Sequence, residues 1–143
     1  MTKLKFLLFG LFLVLAMSCK TGKITQASTP KTGMFKVSIL YPNGDDKTFD
    51  MDYYETKHMP MMAGLLGKNL SLYEIDKGIA GRTPNDKIPF VAIGYFYIND
   101  VTEYNKAILQ NINTIRKDIE VYTNIQPIIQ ISEIKQLRYT DTK

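Results

Sequence analysis

A stretch of ten residues, PFVAIGYFYI at positions 89–98, constrains the fold of this chain more than any other. It is dense in aromatic and β-branched residues, which is typical of a β-strand. Successive side chains of a strand point to opposite faces of its sheet. One face would carry Phe90, Ala92, Gly94, Phe96 and Ile98, and the other Val91, Ile93, Tyr95 and Tyr97. Both faces are apolar, so a sheet that contains this strand needs a cover on each side.

Three further strands and two helices are predicted around this strand. Apolar and β-branched patterns predict strand one at 34–42, strand two at 70–78 and strand four within 125–137. The first helix is predicted between the N-cap Asp50 and a stop at 67–69, and the second over 101–117. The order βαββαβ is the ferredoxin-like pattern, an α+β fold in which both helices cover one face of an antiparallel sheet.

The second face of the predicted sheet needs a cover that the two helices do not supply. Strand four repeats the problem, because it offers isoleucines on both sides. The sheet of a second copy is the natural cover, so the sequence predicts a symmetric homodimer whose two sheets close into a dimeric α+β barrel.

The start of the chain predicts export to a membrane. Residues 1–18 combine a basic start, an apolar run at 6–16 and a small residue before Cys19, which is typical of a signal peptide. AMSC is similar to the lipobox of bacterial lipoproteins, with Ala16 where Leu is usual, so Cys19 is predicted to be lipidated. A secreted protein with an incidental thiol is the alternative. Residues 19–33 then form a flexible tether to one domain at 34–137, which a polar tail at 138–143 follows.

Charge and motifs exclude several classes of partner. The chain has 18 Lys and Arg and 14 Asp and Glu; removal of residues 1–18 takes away two lysines, which leaves 16 against 14 and a net charge of +2. These charges are interspersed, so we predict no nucleic-acid partner. No Gly-rich phosphate loop follows a strand, and one His with one Cys makes no recognisable metal site. We therefore predict neither a cofactor nor a metal.

His58, the single histidine, is the first candidate for chemistry. At helical spacing it shares the sheet-facing stripe with Tyr54 and Met62, while Glu55 falls at the solvent edge of that stripe. Pro60 cannot donate a hydrogen bond to residue 56, so the helix should kink or restart around His58. A histidine there could act as general acid or base, with Tyr54 beside it. A structural histidine bonded to a carbonyl or tyrosine is the alternative.

The chain has nine tyrosines, enough to line an aromatic pocket. We predict that Tyr41, Tyr95, Tyr97 and Met62 bind a ligand beneath the first helix, together with Tyr54. Such a pocket would suit a flat apolar molecule, for example a quinone or a polyphenol. Packing in the core and at a dimer interface is the other interpretation of these tyrosines.

Three stretches resemble the EthD family, named from ethyl tert-butyl ether degradation, within the dimeric α+β barrel superfamily. They are FDMDYYETKHMPM, GIAGRTPNDKIPFVAIGYFYIND and YTNIQPIIQISEI. The resemblance covers residues 34–135 and implies the ferredoxin-like fold, the dimer and a functional role for His58 in H-x-P. Members are often described as reductases or aromatic-degradation proteins, and relatives in the superfamily include cofactor-free monooxygenases, isomerases and cyclases. The export signal argues against a cytoplasmic catabolic role.

Two hypotheses of function follow. In the first, a lipoprotein of the bacterial cell envelope, on the periplasmic or outer-membrane face, uses His58 and Tyr54 for metal-free oxidoreductase or isomerase chemistry on a small aromatic or quinone-like molecule. In the second, the same barrel binds a small ligand without catalysis or has a structural role. The membrane contact is predicted to be the lipid anchor alone.

Replacing the thiol that would carry the lipid tests the location. In a bacterial expression host, Cys19→Ser should move the protein from the membrane fraction to the soluble fraction, because one acylated cysteine is the only predicted anchor. Immunoblots of the two fractions measure the shift, and Ser18→Ala, which keeps the cysteine and a small residue before it, is the control. Retention of the Cys19→Ser variant on the membrane contradicts the lipid anchor.

Overall fold

The computed structural model describes residues 29–139, and these confirm an α+β fold with the order βαββαβ. The predicted signal peptide, Cys19, the tether up to residue 28 and the tail from residue 140 lie outside the described residues. The strands are β1 (Phe35–Pro42), β2 (Leu70–Lys77), β3 (Phe90–Ile98) and β4 (Ile128–Glu133). They form one antiparallel sheet in the order β2-β3-β1-β4. None of the helices within 29–139 is long and apolar enough to cross a membrane.

The register of the sheet decides which residues of neighbouring strands share a face. Ile39 of β1 lies opposite Gly94 of β3 and Ile129 of β4, so these three residues share one face. On β3 the residues of that face from Ala92 to Ile98 are buried, as the alternation predicts. The opposite side, which we call the outer face, is half-buried on β1 and β3.

The first helical region changes its winding three times. It consists of α1 (Met51–Tyr53), a π-helical segment (Tyr54–His58), α2 (Met59–Leu66) and a 3₁₀ turn (Gly67–Asn69). The N-cap prediction is confirmed, because Asp50 Oδ1 accepts a hydrogen bond of 3.0 Å from the amide of Tyr53.

Pro60 explains the interruption at His58, which confirms the predicted restart. Without an amide hydrogen it cannot make the α-helical bond to residue 56, and the Met59 amide bonds back to the Tyr54 carbonyl instead. This wider turn inserts one residue into the helical period. The side chains of His58 and Met59 are therefore both buried beside Tyr54, whereas the regular stripe had placed only His58 and Tyr54 there.

The second helix, α3 (Val101–Tyr122), ends five residues after the predicted stop at 117. It begins at the N-cap Asp100, whose Oδ1 accepts a bond of 2.8 Å from the amide of Glu103. The last turns contain Asp118, Val121 and Tyr122, residue types of low helix propensity. Tertiary packing overrides that propensity, because Tyr122 is buried in the core. The extension brings Asp118 and Tyr122 against the π-helical segment.

Gly94 provides a test of how closely the first helical region packs on β3. A Cβ at residue 94 would lie 2.1 Å from the Tyr54 hydroxyl, whose ring is buried and has little room to move. Gly94→Ala should therefore lower the free energy of unfolding by about 1–3 kcal/mol. Urea unfolding followed by circular dichroism measures the change.

The matched control is Gly64→Ala in α2, where a Cβ meets no atom within 4 Å. It should raise the stability by about 0.5–1 kcal/mol, because alanine favours a helix. In a Tyr54→Phe background the cost of Gly94→Ala should shrink, since the clashing oxygen is gone. If Gly94→Ala lowers the stability equally in both backgrounds, the Tyr54 hydroxyl is not the reason that residue 94 must be glycine.

Candidate functional site

His58 and Asp118 form a hydrogen-bonded pair between the π-helical segment and α3. His58 Nδ1 lies 2.6 Å from Asp118 Oδ2, and the two side chains are only 6% and 15% exposed. The other carboxylate oxygen of Asp118 accepts a hydrogen bond of 2.9 Å from the Tyr53 hydroxyl. Both oxygens are thus held, and the carboxylate fixes the plane of the imidazole.

This pairing determines which nitrogen of His58 is available for chemistry. An ionised carboxylate only accepts, so the Nδ1 of His58 must be its protonated nitrogen and Nε2 carries the lone pair. Within residues 29–139, His58 makes no hydrogen bond through Nε2, and every buried side-chain nitrogen or oxygen has a partner. Nε2 is therefore accessible rather than sealed. His58 also lines a cavity, which gives a ligand access to this residue.

Aromatic rings pack against the imidazole of His58. The ring of Tyr54 stacks on His58 at 5.4 Å and 15°, and the ring of Tyr122 lies at 4.8 Å and 50°. The hydroxyl groups of Tyr41 and Tyr122 are hydrogen-bonded at 2.8 Å. Burial raises the pKa of Tyr41, Tyr54 and Tyr122 well above the ordinary value. At neutral pH these tyrosines are therefore neutral hydroxyl groups and not phenolates.

The cavity has a volume of about 540 Å³ and lies between α3, the first helical region and the sheet. Its walls are mostly apolar. They include Ile39, Met62, Phe96, Tyr104, Ile108, Ile112, Ile115, Ile119, Pro127 and Ile129. Tyr41, Tyr54 and His58 supply the buried polar groups, and Arg116, Glu120 and Gln126 are exposed lining residues. Because Ile129 of β4 is 57% exposed, the cavity opens beside the β4 edge of the sheet.

Four of the predicted site residues, His58, Tyr54, Tyr41 and Met62, line this one cavity. The predicted position of Tyr95 and Tyr97 beneath the first helix is wrong. Their neighbours Gly94 and Phe96 face the helices, and strand alternation directs both tyrosines to the outer face. There the Tyr97 hydroxyl donates to Glu74 Oε2 at 2.9 Å, and burial with this carboxylate raises the pKa of Tyr97 to about 12.

The main site residues that sequence reasoning missed are Asp118 and Tyr122. Both lie in the part of α3 that was predicted to be non-helical. The helical spacing of Ile115, Ile119 and Tyr122 is the signal that would have extended the helix. Glu55 is exposed, as predicted from its place at the edge of the stripe. Within the described part of the chain, no three His, Cys, Asp or Glu side chains come together as a metal site.

Comparison with known proteins shows the family. No model of a protein family and no curated protein matches the sequence. Among solved structures, an EthD-like protein of Ralstonia eutropha JMP134 is 35% identical, with 76% of this chain and 97% of that chain covered and a TM-score of 0.71. An ethyl tert-butyl ether degradation (EthD) family protein of Bacillus halodurans C-125 shares the fold at 19% identity, with coverages of 70% and 97% and a TM-score of 0.52. The chain belongs to the EthD family, which confirms the resemblance found in the sequence.

Burial lowers the pKa of His58 below its ordinary value of 6.5, and the hydrogen bond and charge of Asp118 only partly oppose this shift. The single histidine should therefore titrate below pH 6.5 in the folded protein. Proton NMR of its ring resonances measures the midpoint without ambiguity. Asp118→Asn should lower the midpoint further, because it removes the charge that favours imidazolium.

The same shift has a consequence for stability. Between the two pKa values the unfolded chain binds more protons at residue 58 than the folded protein does. The contribution of His58 to stability is therefore complete above pH 6.5 and is lost as the pH falls through 6.5 towards the folded pKa. Glutamine does not titrate, so the urea midpoint of His58→Gln should depend less on pH in this range than that of the wild type. A histidine midpoint above 6.5 would contradict the prediction.

Proposed function

We propose that this EthD-family protein is a lipoprotein of the bacterial envelope that binds a small aromatic or quinone-like molecule and transfers a proton on it through His58. One observation carries the proposal. The Nδ1 of His58 is held by Asp118 at 2.6 Å, Nε2 has no hydrogen-bond partner within residues 29–139, and His58 lines an apolar cavity. An oriented imidazole with one unbonded nitrogen, on a residue that lines a ligand space, suits a general base.

The cavity supports the class of ligand. Its volume of about 540 Å³ is within the range of small-molecule sites, roughly 300–1,000 Å³. The aliphatic side chains of Ile39, Ile112 and Met62 offer apolar walls, and the rings of Tyr54 and Phe96 offer surfaces for a flat molecule. The buried polar groups of the cavity are those of His58, Tyr54 and Tyr41, so one polar end of the ligand would be oriented there.

The proposed reaction begins with removal of a proton by His58 Nε2, from a phenolic O–H or from a C–H next to a carbonyl. The imidazole becomes imidazolium, and the carboxylate of Asp118 stabilises the new charge. Return of the proton to another atom of the ligand completes an isomerisation with no change in oxidation state. Oxidation would use the same first step, because the anion is electron-rich and would pass electrons to an external oxidant such as dioxygen.

Binding without catalysis is the second candidate. It is favoured by the low exposure of the His58 side chain, 6%, and by the rings of Tyr54 and Tyr122 that lie against the imidazole. In that case Asp118 and His58 would serve to hold α3 against the π-helical segment. Turnover of a bound probe separates the two candidates.

We also propose that two copies pair through the outer face. Cross-strand register aligns Asp76, Ile93 and Leu40 in one row of that face, and Ile93 and Leu40 are half-buried. A two-fold interface must be complementary to itself. The outer face meets this condition. Lys36 on β1 would pair with the acidic Glu74 and Asp76 of a second copy, while Ile93 and Leu40 would pack on Ile93 and Leu40 of that copy.

Deuterium exchange tests the proton transfer. In D₂O the full-length protein should accelerate exchange at the acidic C–H of 2-tetralone, a bicyclic enolisable ketone, as followed by NMR. His58→Gln, which roughly keeps the volume of the side chain, should lower the protein-dependent exchange rate by about 100-fold or more. Asp118→Asn should also slow exchange, because it removes the carboxylate that keeps Nδ1 of His58 protonated and Nε2 basic.

Glu55→Gln is the control, since it removes an exposed carboxylate of the same helical region and should leave the rate unchanged. Binding of 2-tetralone to the wild-type protein without faster exchange would favour the non-catalytic candidate. Absence of both binding and exchange would count against the proposed ligand class.

The homodimer is tested by light scattering of the purified protein. Ile93→Lys should shift the measured mass from dimer to monomer, because it places a charge in the apolar centre of the proposed interface. Leu109→Lys on α3, where the leucine is 73% exposed, is the matched control and should stay dimeric. A wild-type monomer would contradict the proposed interface.

A further inference from the structure

The cavity has a second polar end, at Arg116. Arg116 and Asp118 are two residues apart on α3, so their side chains leave the helix about 200° apart. Asp118 holds His58 on one flank of α3. Arg116 lines the cavity from the other flank, next to β4. The ligand space therefore passes beneath the helix, between the imidazole and a guanidinium.

Arg116 has no partner within the chain as described. Its side chain forms no hydrogen bond and no ion pair with any residue of 29–139. Glu120 lies one helical turn later and lines the same cavity, but no carboxylate oxygen of Glu120 lies within 4 Å of a guanidinium nitrogen of Arg116. The order Arg then Glu is the less favourable one for a pair at this spacing. The guanidinium is therefore available to an external anion.

The space between the two polar ends is apolar. Ile112, Ile115 and Ile119 line it from α3, and Ile129 lines it from β4. A ligand that reaches from one flank of a helix to the other must be on the order of 10 Å long, the width of a helix with its side chains. Two fused rings with a substituent at each end have this length.

We propose that the ligand of this cavity carries one carboxylate that pairs with Arg116, at the opposite end from the group that His58 deprotonates. This inference rests on the proposed function of the cavity and specifies its ligand as an aromatic acid. Arginine binds a carboxylate through two parallel hydrogen bonds, which a neutral ligand does not offer. Glu120 disfavours a second anionic substituent, so the ligand carries a single charge and enters in one orientation.

Two matched probes test the inference by calorimetry on the full-length protein. 6-Hydroxy-2-naphthoate has a phenol at one end and a carboxylate at the other, and 2-naphthol lacks only the carboxylate. Arg116→Gln should weaken binding of the naphthoate by about 10-fold to 100-fold and change binding of 2-naphthol less than about twofold. Arg116→Lys should restore part of the loss. Lys117→Gln, which removes a neighbouring exposed charge, should change neither.

The outcomes separate the two proposals. Selective loss of the naphthoate in Arg116→Gln, with partial rescue by lysine, supports the inference. If both probes bind and Arg116→Gln affects them no more than Lys117→Gln does, the inference is overturned while the cavity remains a binding site. If neither probe binds the wild-type protein, the cavity and the inference both fail. Thermal unfolding of each variant confirms that these exposed substitutions leave the fold intact.

Discussion

The missing amide hydrogen of Pro60 determines how the first helical region meets the rest of the molecule. A regular α-helix cannot pass through this position with all of its bonds, and the chain responds with a π-helical segment immediately before it. Such turns are frequently found at functional sites. Here the turn rotates His58 and Met59 inward together. The imidazole meets α3 and its cavity, and the methionine fills the core below.

The His58–Asp118 pair depends on two elements that are far apart in sequence. Its geometry follows from the length of α3, whose last turns are held by the packing of Ile119 and Tyr122 against the core. Tyr53, directly before the π-helical segment, donates a hydrogen bond to the second carboxylate oxygen of Asp118. The buried tyrosines around the imidazole remain neutral, so they shape the cavity without adding charge to it. Asp118 is then the anion that directly balances an imidazolium.

The strands, the element order and the sheet-facing helical stripe could be predicted from the sequence because each depends on local periodicity. Alternation grouped Ala92, Phe96 and Ile98 on one face of β3, and the structure buries that face in the core. The same alternation placed Tyr95 and Tyr97 together on the opposite face. Only tertiary contacts decide which face lies under the helices, so the sequence pattern did not separate these tyrosines from Tyr41. The end of α3 was harder to predict. Asp118, Val121 and Tyr122 have low intrinsic helix propensity, and contacts with distant residues stabilise this last part of the helix.

Gly94 connects the sheet to the chemistry of a residue that it does not touch. The space left by its missing side chain receives the hydroxyl end of Tyr54, and His58 stacks on the ring of that tyrosine. The glycine thus sets how far the imidazole stands above the strand and, with it, the height of the cavity. A side chain at residue 94 would act as a spacer and raise the tyrosine and the histidine together. The position of the imidazole is in this sense encoded in the sheet, one layer below it.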